Sequence, residues 1–95
     1  MIDELAKTND SNYNEDKLLE ELAELTEVIL KKRNKKGMAE EPSRTDLIDE
    51  LGDVKLRLEV AIKMYNAEPE VEARIGSKLN RFSNHLKDGK YKGRI

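Results

Sequence analysis

The chain has 95 residues, of which 40% are charged and only 4% aromatic, with a net charge of −2 and no cysteine. That length accommodates one small domain, residues 1–95, and the composition excludes disulfide support. No apolar run is long enough to cross a membrane and no basic-then-apolar leader opens the chain, so a soluble, cytoplasmic protein is expected.

A domain this short buries only roughly 60–65% of its unfolded surface. Association with further copies is the expected remedy. Charge is unevenly spread. From Arg74 onward the chain carries three Arg, four Lys and one His against Asp88 alone. Such a basic end suits phosphates, whether on a small ligand or on nucleic acid.

Met1 to Lys7 spaces Ile2, Leu5 and Ala6 as one or two helical turns, and the polar run Thr8 to Asn12 interrupts it, giving an N-terminal segment 1–13. Asn14 reads as the cap of a first long helix over residues 15–33, with Glu15 and Asp16 in its first turn and Lys31, Lys32 and Arg33 in its last. Residues 35–42 form a loop. Ser43 and Asp46 have the spacing of a capping box for a second helix over residues 44–65. Asn66 and Pro69 end it and open a third helix over residues 69–86, which Gly89 closes. Residues 88–95 form a basic tail. Nothing alternates with period two, so the chain is all-α with three main helices.

At about 100° per residue, Leu18, Leu22, Leu25 and Ile29 make the apolar stripe of the first long helix, with Glu21 at its margin. The second helix has two apolar stripes. Leu47, Leu51, Val54, Leu58, Ala61 and Tyr65 form one; Leu56, Val60 and Met64 form the other; Glu50 and Asp53 occupy the arc between. A helix apolar over more than half its circumference needs more than one partner, which points to a homo-oligomer with this helix at its centre; the alternative is a three-helix monomer whose N-terminal segment covers the second stripe. The third helix has one stripe, flanked by the basic edge Arg74, Lys78, Arg81 and His85.

Glu21 with Glu24, and Glu50 with Asp53, are carboxylates three residues apart on consecutive helices, so each pair shares a helix face. Glu21, Glu50 and Asp53 lie beside apolar positions, where an unpaired charge is costly. Two such pairs brought together call for a hard divalent cation: Mg2+, with Mn2+ as a substitute.

The pattern Glu20-Glu21-x-x-Glu24, 25 residues, then Glu50-x-x-Asp53 resembles the signature of the MazG-like all-α nucleoside triphosphate pyrophosphohydrolases. Residues 46–66, and Lys78-Leu79-Asn80-Arg81, are similar to the short single-domain members, including those of phages. The resemblance covers residues 13–91. It implies a homodimer or homotetramer built on four-helix bundles. It also implies Mg2+ at the acidic motifs and hydrolysis of NTP or dNTP between the α and β phosphates to nucleoside monophosphate and pyrophosphate. By position, Glu21, Glu24, Glu50 and Asp53 match the metal ligands. Glu20 matches the leading acid, and it or Glu24 is the candidate general base. Lys78 and Arg81 match the phosphate-side cations, and Lys17, on the same helix as Glu21 and Glu24, is a further candidate. Base and sugar stay open. The competing expectation is a non-catalytic, oligomeric helical module that binds a protein or nucleic acid through its basic third helix. The acids on the neighbouring helices disfavour nucleic acid.

Overall fold

The computed structural model describes residues 1–89; the rest of the expected basic tail, 90–95, lies outside the described residues. Four helices follow one another: α1 (Ile2–Thr8), α2 (Ser11–Asn34), α3 (Arg44–Met64) and α4 (Glu68–Lys87), and no strand occurs among the described residues. The all-α expectation is met, with the N-terminal segment contributing a fourth, short helix.

Local chemistry explains most of the boundaries. In α1, Thr8 Oγ1 donates to the Glu4 carbonyl at 2.6 Å, and Asn9 leaves helical geometry. One expected boundary is corrected. α2 begins four residues before the expected Glu15, capped by Asp10, whose carboxylate accepts the Tyr13 N–H at 2.7 Å. Asp10 is as good a cap as Asn14, and nothing between them stops a helix. Asn14 is instead 1% exposed. Its amide donates to the Leu5 carbonyl at 3.4 Å and reaches Met64 Sδ at 3.4 Å. It thereby adds a second bond to a carbonyl that already accepts the Asn9 N–H, and ties α1, α2 and α3 together. At α3 the expected capping box forms in full: Asp46 N–H donates to Ser43 Oγ at 3.1 Å, and Ser43 N–H to Asp46 Oδ2 at 2.9 Å. Asn66 takes φ 52°, a left-handed turn that Asn tolerates and that redirects the chain into α4.

α2 and α3 pair antiparallel. The Tyr65 hydroxyl donates to Glu15 at one end of the pair, while Glu24 meets Glu50 further along. The inner seam holds Leu18, Leu25 and Val28 against Leu47, Val54 and Ala61, all at least half-buried. α1 packs on α3, fastened by Lys63, whose ammonium lies 3.3 Å from Asp3 and 2.9 Å from Glu68. Those bonds, Glu68 first, raise the Lys63 pKa. α4 meets α3 only sparsely.

The result is thin. Among the described residues only Val60 and Ala61 are buried apolar side chains. The chain exposes 7439 Å², where a compact monomer of this length exposes roughly 5,600 Å². Its radius of gyration is 17.0 Å, against roughly 12 Å for a compact domain. Its extents of 43 × 42 × 18 Å describe a slab. Replacing Ser43 by Ala removes one half of the capping box and should cost about 1 kcal/mol. Urea denaturation of both proteins at one fixed concentration checks this, and an unchanged midpoint would show that the cap contributes nothing.

Candidate metal centre

The seam between α2 and α3 brings acids together because each helix presents one at its margin. The carboxylates of Glu21, Glu24 and Glu50 each offer an oxygen within 4.8 Å of the others. All three side chains are partly buried. Glu21 Oε2 and Glu50 Oε2 are shut off from solvent with no hydrogen-bond partner. Buried acceptors are normally satisfied, so two orphaned carboxylate oxygens beside a third carboxylate require explanation.

Electrostatics give the same result. Burial, then the charge of Glu24, then that of Asp53, push the Glu21 carboxyl above the usual carboxylate range. Burial, Glu24 and Asp53, in that order, do the same to Glu50. Every charge acting on these two groups that raises them is another acid. Three oxygens within 4.8 Å of one another are spaced wider than the ligands of one octahedral Mg2+, whose neighbours stand about 3 Å and opposite ligands about 4 Å apart, so a cation would have to draw the side chains inward. A cation would satisfy both orphaned oxygens and reverse the mutual repulsion.

The sequence-predicted residues are distributed unevenly about this point. Glu21, Glu24 and Glu50 converge. Asp53 is exposed but near enough for its charge to act on Glu21 and Glu50. Glu20 is exposed and turns to Lys17, whose ammonium lies 3.4 Å away and 5.8 Å from the centre of the Tyr13 ring. Lys78 stands on α4, 5.6 Å from the centre of the Phe82 ring. Arg81 on the same helix is exposed. Neither lines the hollow beside the acids, an open space of about 410 Å³ bounded by Glu24, Glu27, Val28, Lys31, Asp49 and Glu50, among others. Within one chain, therefore, Lys78 and Arg81 do not line the hollow beside the acidic cluster.

The sequence analysis singled out neither Lys31 nor Arg57 as a site residue. Among the described residues Lys31 is the one cation lining the hollow; on the sequence it is indistinguishable from the basic cluster that ends α2. Arg57 has a buried Nη1 without a hydrogen-bond partner. It lies one turn beyond Asp53, and that four-residue spacing was the available signal. Comparison with family models, curated proteins and solved structures finds no match for this chain.

Raised carboxyl pKa values mean that the folded chain holds these protons more tightly than the unfolded one. The associated stability is fully present below the ordinary value of 4.5 and is lost as pH rises through the raised values. In chelator, Glu50→Gln should therefore raise Tm at pH 7, and its advantage should shrink as pH falls toward the ordinary carboxylate range. Thermal unfolding across pH reads this; a pH-independent difference would show that the acids do not repel one another.

Proposed function

We propose that the chain is a Mg2+-dependent nucleoside triphosphate pyrophosphohydrolase, cleaving NTP or dNTP to nucleoside monophosphate and pyrophosphate, and acting as a homodimer or homotetramer. The observation that carries this is the convergence of Glu21, Glu24 and Glu50 from two helices, with orphaned oxygens on two of them. The order and spacing of the acids, similar to those of MazG-like enzymes, supply the reaction class.

In this proposal Glu21, Glu24 and Glu50 hold the cation, and Asp53 adds charge from the edge of the cluster. Mg2+ bound there supplies charge neutralisation and a lowered pKa for water. That contribution is needed, because the hollow is walled by Glu24, Glu27, Glu40, Glu41, Asp46, Asp49 and Glu50 against one Lys31. A polyphosphate entering without cations would meet only repulsion on those walls. Glu24 belongs to both the cluster and the hollow, which makes it the better placed proton acceptor. Glu20, turned toward Lys17, is the alternative. The phosphate role of Lys78 and Arg81 holds only in an assembly that lays an α4 over the hollow.

With Mg2+ and a panel of NTPs and dNTPs, pyrophosphate should appear as the first phosphorus product. Glu50→Gln and Asp53→Asn should each lower its rate on the order of 100-fold. Orthophosphate as the first product, or full activity in both variants, would overturn the assignment. A chain that shows no turnover with any nucleotide, but is stabilised by Mg2+ through these same acids, would leave a metal-binding module.

A further inference from the structure

A second hollow opens where α1, α3 and α4 meet, and it shares no lining residue with the acidic cluster of Glu21, Glu24 and Glu50. Its volume is about 600 Å³, within the range of roughly 300–1,000 Å³ usual for small-molecule sites. The floor is apolar: Ile2, Ile62 and Val71, one from each helix, are half-buried there. The rim is acidic: Asp3, Glu59, Glu68 and Glu72 line it and are exposed. Charge on that rim is unbalanced. Lys63 is the one basic side chain lining it, and its ammonium is already held by Asp3 at 3.3 Å and Glu68 at 2.9 Å. The Met1 ammonium faces Glu4, 3.5 Å away. Among the described residues Glu59 and Glu72 have no ion pair.

Lys63 shows what such a rim accepts. It is an ammonium on an aliphatic stem, held between one carboxylate of α1 and one of α4. Glu59 on α3 and Glu72 on α4 leave a second pair of carboxylates open beside the same floor. An anion would meet net repulsion there, and a neutral apolar molecule would leave both acids unpaired. An apolar body with a cationic head matches floor and rim together. We propose that this hollow binds a small organic cation, an aliphatic chain bearing a primary ammonium. The chain lies on Ile2, Ile62 and Val71, and the ammonium sits between Glu59 and Glu72. Occupied, the site fastens α4 to α3, which it otherwise meets only sparsely. The site is independent of the metal, of the hydrolysis and of the oligomeric state.

Titration of the full chain with n-octylammonium, followed by methyl NMR, should give saturable shifts at Ile2, Ile62 and Val71. Leu22 and Leu51, exposed on α2 and α3 away from the hollow, should not respond. Octanoate at the same concentrations should not bind, and n-butylammonium should bind at least roughly tenfold more weakly. Glu59→Gln combined with Glu72→Gln should weaken n-octylammonium roughly tenfold. Glu70→Gln, on α4 but outside the hollow, should leave its affinity unchanged. Equal binding of octanoate, undiminished affinity in the double variant, or shifts centred on Leu22 and Leu51 would overturn the site. A basic amphipathic peptide that displaces n-octylammonium from these methyls at a hundredfold lower concentration would overturn the small-ligand assignment. So would shifts at the same methyls that grow with protein concentration and no amine, since a second copy would then be the occupant. Failure here would leave the pyrophosphate assay untouched.

Discussion

The meeting of carboxylates across the α2–α3 seam is the constraint to which the rest of the structure answers. Like charges brought together in a partly desolvated place oppose the pairing that assembles them. The pairing persists because Leu18, Leu25 and Val28 pack against Leu47, Val54 and Ala61 on either side of the acids. Further along, Tyr65 reaches Glu15, and Asn14 reaches both Leu5 and Met64. Apolar packing and these end contacts hold the charged middle in place. In the proposed function a bound cation would offset this repulsion.

Helix type and order were legible because amphipathic spacing and caps are local. The Ser43–Asp46 box appears in the sequence and in the structure alike. The start of α2 was not legible, since Asp10 and Asn14 are equivalent caps on paper. Only the packing of α1 decides that Asn14 is used as a buried donor. The acidic cluster was legible in its residues, because a three-residue spacing fixes a helix face. The separation of Lys78 and Arg81 from it was not, since that depends on how α4 departs at Asn66, whose left-handed turn no periodicity records. Arg57 was overlooked because nothing in its spacing shows that one of its guanidinium nitrogens is buried in the fold.

The chain distributes its stabilising contacts unusually. With so few side chains buried among the described residues, order rests on helix caps, on the Lys63 bridges from α3 to α1 and α4, and on a single polar knot at Asn14. These are contacts at element ends. They fix where helices begin and how they meet, but they contribute little of the apolar burial that normally dominates stability. A slab of this kind has its geometry specified locally, by contacts at the ends of its elements.

Glu21 is followed directly by Leu22, and Glu50 by Leu51. Successive residues on a helix are set at a fixed 100°, so each carboxylate and the adjacent leucine turn as one rigid unit about the helix axis. The roll of α2 and the roll of α3 then help to aim Glu21 and Glu50, and the buried and half-buried seam residues Leu18, Leu25, Val28, Leu47, Val54 and Ala61 fix both rolls. A few degrees of roll, at a side-chain radius of several ångströms, displaces a carboxylate oxygen by a fraction of an ångström, the tolerance that separates Mg2+ from a larger cation such as Ca2+. At the proposed cation site, choice of ion would thereby depend on helix roll, and so on aliphatic packing, without any change of ligand.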